Sequence, residues 1–96
     1  MIYFISRHKG AQDWIKEQKI CIDKIIEHLD EKNLKEGDIV IGSLPINFVA
    51  RLTEKNIKYI HLELELCYEK RGKELTKQDL YDLNAKLVCY NVTRAF

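Results

Sequence analysis

Ile2-Tyr3-Phe4-Ile5-Ser6-Arg7-His8-Lys9-Gly10 joins a short apolar run to an abrupt polar, cationic turn. Positions 2–5 are apolar on both faces, which is typical of a strand covered on both sides of a sheet. We place Gly10 in the turn, and a helix around Trp14 and Ile15 follows it. Open α/β sheets bind ligands just beyond the carboxyl ends of their strands. We therefore expect the Ser6-Arg7-His8 turn to lie at a binding edge.

A second segment shows the same succession of features. The apolar strand Ile39-Val40-Ile41-Gly42 is followed directly by Ser43-Leu44-Pro45-Ile46-Asn47. Ser43 can cap a helix, and Pro45 suits the first helical turn. The helix is predicted to end near Asn56, which can adopt a left-handed conformation. If the two strands are parallel, both turns lie at the same edge of the sheet.

The rest of the chain predicts alternating strands and helices. Residues 19–29 are ambiguous, since the spacing of the isoleucines suits a helix while their β-branching suits a strand; we favour a strand over 21–28. The other predicted elements are a helix at 11–18, a strand with one polar face at 58–66, a loop at 67–75, a helix capped by Thr76 with Asp79, and a last strand at 87–92. We predict one α/β domain over residues 1–96, Rossmann-like, with a mostly parallel sheet of about five strands flanked by about three helices.

Composition limits the classes of partner. The chain has 96 residues, a net charge of +1, and 16 basic against 15 acidic residues. Bulk charge therefore does not favour duplex DNA, although a local cationic pocket for a small anion is allowed. No apolar run is long enough for a signal peptide or a membrane span, so we expect no membrane partner and a cytoplasmic location.

The three cysteines, Cys21, Cys67 and Cys89, indicate neither a zinc site nor a disulfide framework. Each lies among aliphatic residues, and we expect buried thiols. The chain contains no Walker A loop and no Gly-x-Gly-x-x-Gly motif, so no large nucleotide cofactor is indicated.

The two polar turns together predict a phosphate-binding crevice. Backbone N–H groups at two helix starts favour an anion, Arg7 adds a bidentate phosphate donor, and the hydroxyls of Ser6 and Ser43 add neutral donors. Each feature also has a plainer interpretation. Ser43 alone is a helix cap, and Ser6-Arg7-His8 alone is a solvated turn. Two such turns that converge are more informative than either alone.

The sequence does not decide the roles of four polar residues outside the two turns. His61 is expected to be a hydrogen-bonded structural residue, and His28 is expected at the surface. Glu63 and Glu65 point the same way, as a solvated face or as two metal ligands without a clear third.

A family resemblance rests on five segments spread over nearly the whole chain. They are Tyr3-Phe4-Ile5-Ser6-Arg7-His8-x-Gly10-Ala11 with Trp14, His28-Leu29-Asp30, Gly37-Asp38-x-Val40-Ile41-Gly42-Ser43-Leu44-Pro45-x-Asn47, His61-Leu62, and Arg71-Gly72-x-Glu74-Leu75. This pattern resembles a family of small type III CRISPR-associated accessory proteins. The family looks like a minimal relative of CRISPR-associated Rossmann-fold (CARF) domains, and its members are similar in role to ring nucleases.

The resemblance implies a ligand, an activity and a set of residues. Ring nucleases bind cyclic oligoadenylate second messengers, chiefly cyclic tetra-adenylate, and cleave them to switch off the antiviral response. Cleavage by in-line attack of a 2′-hydroxyl needs no metal or other cofactor. Ser6, Arg7 and His8 are the expected catalytic residues. The expected ligand-binding residues are Gly10, Gly42, Ser43, Leu44, Pro45, Asn47 and Arg71.

The symmetry of a cyclic oligoadenylate implies a homodimer, in which a two-fold axis presents each turn twice. Two alternatives to a ring nuclease remain open at this point. One is a binder that senses or sequesters the messenger without cleaving it, and the other is a structural module of the CRISPR effector pathway. Arg71 could reach over the crevice or be exposed.

Overall fold

A computed structural model describes residues 1–65 and 74–96 of the chain. In these two ranges it has five strands and three α-helices, with a short 3-10 helix at Glu31–Asn33. In chain order they are β1 (Ile2–Ile5), α1 (Lys9–Glu17), β2 (Lys24–Ile26), β3 (Ile39–Gly42), α2 (Ile46–Glu54), β4 (Lys58–Glu63), α3 (Lys77–Asp82) and β5 (Lys86–Tyr90). This confirms the predicted Rossmann-like α/β fold.

The sheet has the strand order β2-β1-β3-β4-β5. β2, β1, β3 and β4 pair in parallel, and only β5 runs antiparallel, against β4. From β1 the chain leaves to one side to form β2, and it then crosses to the other side of β1 to form β3. The strand order thus reverses between β1 and β3, which is where open α/β sheets bind ligands.

Alternate residues of the central strands pack on opposite faces of the sheet. Phe4 and Ile41 pack with α1 and α3 against Trp14, Ile15 and Leu80. The other face packs against α2 through a cluster formed by Ile5, Val40, Val49, Leu52, Ile57 and Tyr59. Full burial of such a side chain contributes roughly 1.5–3 kcal/mol to the free energy of folding. Because β1 and β3 place side chains in both clusters, they stabilise the cores on both faces of the sheet.

Several boundary predictions are confirmed. Asn56 has a φ of 60° just after α2, as expected for a left-handed stop. Thr76 and Asp79 form a capping box at the start of α3. The ambiguous segment is a strand, but it covers only Lys24–Ile26 and pairs at the sheet edge with β1.

Three predictions about individual residues are wrong. Gly10 lies inside α1 instead of in the turn before it. Ser43 does not cap α2, because Pro45 is the N-cap residue and the Ser43 hydroxyl donates instead to the Leu62 carbonyl at 3.2 Å. Cys21 and Cys89 are exposed thiols, while Cys67 lies outside the described residues. The predicted loop at 67–75 is described only from Glu74 onward.

A glycine is required at this helical position because the chain that precedes α3 approaches it directly. A Cβ atom at this position would lie 2.0 Å from the Leu75 carbonyl oxygen and 2.7 Å from the Thr76 carbonyl carbon. Both are backbone atoms, so a side chain could be accommodated only if α1 and the start of α3 moved apart.

We predict that Gly10→Ala destabilises the protein by about 1–3 kcal/mol, the usual cost of overpacking. Helix propensity alone would give the opposite sign, because Ala is favoured over Gly in a helix by about 1 kcal/mol. Urea unfolding measures the effect. Lys16→Ala, at an exposed position of α1, is the control for propensity, and a stabilised Gly10→Ala variant would contradict the close contact.

Asp38 is a buried carboxylate that links the start of β3 to the N-terminus and to the turn before β3. One of its oxygens accepts from the Lys35 N–H at 2.9 Å, and the other accepts from the amino group of Met1 at 3.0 Å. These bonds, first of all the one from Lys35, hold the pKa of Asp38 below its usual value of 3.8.

A depressed pKa in the folded state stabilises the protein above the unfolded pKa, and this contribution is lost as the pH falls through the folded value. Asp38→Asn should therefore be less stable than the wild type at pH 7. The difference should begin to shrink near about pH 4, where the unfolded chain starts to bind the proton, and it should be lost as the pH falls through the lower pKa of the folded state. Urea midpoints from pH 2 to 7 measure this, with Asp82→Asn as the exposed control. A difference independent of pH would contradict the assignment.

Candidate functional site

A cleft of about 740 Å³ opens at the carboxyl ends of β1 and β3. We call it the β1–β3 cleft. Residues 6–8, the β1 turn, and residues 42–44, the β3 turn, both line it. The predicted site residues Ser6, Arg7, His8, Gly42, Ser43 and Leu44 are thus brought together. The sheet topology explains this, since two adjacent parallel strands end at the same edge.

Four other predicted residues are placed differently. Gly10 packs against the backbone before α3, Pro45 is the N-cap of α2, and Asn47 is exposed in the first turn of α2. None of these three lines the β1–β3 cleft. Arg71 lies outside the described residues.

Sequence reasoning missed several residues that line the cleft. They are Glu27, His28 and Leu29 after β2, Phe48 in α2, Leu62 and Leu64 at the end of β4, and Glu74, Leu75 and Leu80 around the start of α3. The three residues after β2 could have been predicted from the sequence. Parallel strands end at the same edge of the sheet, so the residues that follow β2 must lie near the β1 and β3 turns. His28 is at the surface, as expected, but it faces this cleft.

The β1 turn is organised by the Ser6 hydroxyl. Its oxygen accepts a hydrogen bond from the His8 N–H at 3.1 Å, and the Gln12 side chain donates to the Ser6 carbonyl at 2.8 Å. His8 is the N-cap residue of α1, and its own side chain makes no capping bond. The hydroxyl proton of Ser6 and the imidazole ring of His8 are therefore available to bind other groups.

One such partner of His8 is Glu74. The His8 Nδ1 and the Glu74 Oε2 atoms lie 3.1 Å apart, and both side chains are more than half exposed. An exposed pair of this kind contributes little to stability. It can nevertheless orient the imidazole, because an Nδ1–H that donates to the carboxylate leaves Nε2 as the free ring nitrogen.

The β3 turn is held by the hydroxyl of Tyr59, a residue that is only 2% exposed. This oxygen lies 2.9 Å from the Leu44 nitrogen, 3.0 Å from the Gly42 oxygen and 2.6 Å from the His61 Nδ1. Burial raises the pKa of Tyr59, and the bond from the Leu44 N–H opposes this shift without reversing it. The phenol is therefore neutral and carries a proton that it can donate.

Arg7 and the starts of two helices provide positive charge at the cleft, which Glu27 and Glu74 also line. Neither α1 nor α2, whose first turns adjoin the cleft, has an acidic residue in its first turn. Within residues 1–65 and 74–96, Arg7 forms no ion pair, whereas Arg51 and Arg94 each contact a glutamate. An unpaired guanidinium beside two helix N-termini is a suitable partner for a phosphate.

Three of the residues whose roles were left open, on β4 and just after it, have protein partners. His61 contacts Tyr59, Glu63 accepts from the Tyr90 hydroxyl, and Glu65 accepts from the Asn84 amide at 3.0 Å. In the described part of the chain, no group of three or more His, Cys, Asp or Glu side chains is arranged to hold a metal ion. None of the described helices is long and apolar enough to span a membrane.

Comparison with known proteins identifies a family. The model of a family described as "Putative CRISPR-associated protein (Cas_VVA1548)" matches residues 3–93. No curated protein and no solved structure matches the chain. Because the match spans both turns of the β1–β3 cleft and nearly all of the sequence, this protein belongs to that family of CRISPR-associated proteins.

Proposed function

We propose that this protein is a metal-independent ring nuclease, which binds and cleaves cyclic oligoadenylate, most readily cyclic tetra-adenylate. In this role it would switch off type III CRISPR signalling, as a minimal relative of CARF domains. The observation that carries the proposal is the meeting of the β1 and β3 turns in one cleft, with Arg7 unpaired beside them among the described residues. Membership of a CRISPR-associated family and the resemblance to ring nucleases support it.

The ligand chemistry fits the groups in the cleft. A cyclic oligoadenylate presents phosphodiesters, which the Arg7 guanidinium and the backbone N–H of Ser43 can bind. The N–H groups of His8 and Leu44 already donate within the protein. Leu44 and Phe48 add apolar surface for nucleobases. Clefts of this size are typical of drug-sized ligands, and a ring of four nucleotides is larger. A homodimer that joins two copies of the cleft around a two-fold axis would match the ring in size and symmetry.

The reaction is an in-line displacement at phosphorus. The ribose 2′-oxygen forms a bond to phosphorus, the bond from phosphorus to the 5′-oxygen breaks, and the products carry 2′,3′-cyclic phosphate and 5′-hydroxyl ends. Arg7 would neutralise the charge that develops on the phosphoryl oxygens. His8, oriented by Glu74, would take the 2′-proton or supply one to the 5′-oxygen through Nε2. The Ser6 hydroxyl and the Ser43 backbone N–H would orient the phosphate or the ribose, since the Ser43 hydroxyl donates to the Leu62 carbonyl.

Incubation with cyclic tetra-adenylate in EDTA, under single-turnover conditions, tests the function directly. Chromatography should resolve linear products with 2′,3′-cyclic phosphate ends, and rings of other sizes should react more slowly. An intact ring would refute the enzymatic proposal. Tight binding without product would then identify a non-catalytic binder, and no binding of any ring size would favour a structural module.

Variants of the β1 turn separate binding from chemistry. Arg7→Ala should weaken binding and turnover together, by about tenfold or more, because it removes a charge-assisted bond to the phosphate. His8→Ala should retain binding and lose about 100-fold or more in turnover, the usual contribution of a general acid or base. Arg94→Ala, which removes a guanidinium outside the cleft lining, is the control. Full turnover by His8→Ala would show that positioning alone carries the reaction.

A further inference from the structure

We propose that Tyr59 is the positioning residue of the β3 turn: its hydroxyl fixes the Gly42–Ser43 peptide so that the Ser43 N–H faces the β1–β3 cleft as an anion donor. This inference rests on the proposed function in one respect, namely that the cleft receives a phosphate group. Tyr59 itself does not line the cleft, so it would act only through the turn.

Three groups surround the Tyr59 oxygen, and the direction of two of the three hydrogen bonds follows from the groups themselves. A phenol has one proton to donate and lone pairs that accept. The Leu44 N–H can only donate, and the Gly42 carbonyl can only accept. The phenolic proton can go either to the Gly42 carbonyl or to His61 Nδ1, and we assign it to Gly42, in which case His61 Nδ1 must donate. The arrangement thus requires the His61 ring to carry a proton on Nδ1.

Peptide geometry then determines where the neighbouring N–H points. The C=O and N–H groups of one planar trans peptide point in opposite directions, and the described residues contain no cis peptide. Tyr59 lies on β4, on the side of β3 away from β1, and it holds the Gly42 carbonyl on that side. The Ser43 N–H is consequently turned towards β1 and the cleft.

The absence of a side chain at Gly42 strengthens this arrangement. A Cβ atom there would lie 3.0 Å from the Ile5 carbonyl oxygen, so glycine lets the end of β3 stay close to the end of β1. The Ser43 N–H thus enters the space beside the β1 turn. Donors that are fixed before the ligand arrives bind an anion without a further ordering cost.

Tyr59→Phe removes the hydroxyl and keeps the buried ring, so the core should remain intact while the turn loses its clamp. Affinity for cyclic tetra-adenylate should fall about tenfold. The amide resonance of Ser43 should shift when the wild type is titrated with inorganic phosphate, and this shift should be lost in the variant. Tyr90→Phe, which removes a hydroxyl bound to Glu63 on the same face, is the matched control and should behave as the wild type.

The outcomes separate this inference from the proposed function. Ring binding that is equal in the wild type and in Tyr59→Phe would overturn the role of Tyr59 and leave the ring-binding proposal standing. A wild type that binds no ring, but whose Ser43 amide responds to phosphate only while Tyr59 is present, would support the positioning role and refute the function. A Ser43 amide that responds to neither probe would overturn the positioning role.

A measurement on the wild type keeps the inference testable if Tyr59→Phe does not fold. Long-range proton–nitrogen correlation of the His61 ring at alkaline pH reports which nitrogen carries the proton. The inference predicts a proton on Nδ1. A proton found only on Nε2 would mean that the phenol donates to His61 instead of to Gly42, and it would overturn the proposed clamp.

Discussion

The parallel pairing of β1 with β3 is the constraint on which the site depends. It sets Phe4 opposite Ile41 and ends both strands at the same edge of the sheet. The connections to β2 and β4 leave in opposite directions, so the two strand ends border a crevice at this edge of the sheet. The polar residues that follow each strand are therefore brought together by topology, although about 35 positions separate them in the chain.

The distribution of charge explains how a nearly neutral protein can present an anion site. Several cationic side chains are paired with a glutamate at the surface, as Arg51 and Lys55 are with Glu31. The cleft differs because helix N-termini and Arg7 provide positive potential there without an adjacent partner among the described residues. Glu27 and Glu74 also line the cleft, and the Glu74 carboxylate contacts the His8 imidazole. Local arrangement, and not net charge, thus sets the preference for an anion.

The sequence predicted the fold class, the order of the elements and the convergence of the two turns, because these follow from hydrophobic periodicity and turn chemistry. It failed where tertiary contact overrode local preference. Ser43 has the properties of a helix cap, but its hydroxyl bonds to Leu62 on the neighbouring strand. Gly10 has the properties of a turn residue, but it lies within α1, where the close approach of the Leu75 backbone leaves no room for a Cβ atom. Tyr59 gave no local signal, since its role depends on groups 15 to 17 positions away.

The contact at Gly10 has a mechanical consequence for the cleft. Because Gly10 packs directly against the backbone at Leu75, the helix that begins just after His8 lies next to the segment that carries Glu74. The 3.1 Å contact between the imidazole and the carboxylate therefore forms when the chain folds. A ligand that enters meets two groups that are already neighbours, so less entropy is lost at each binding event.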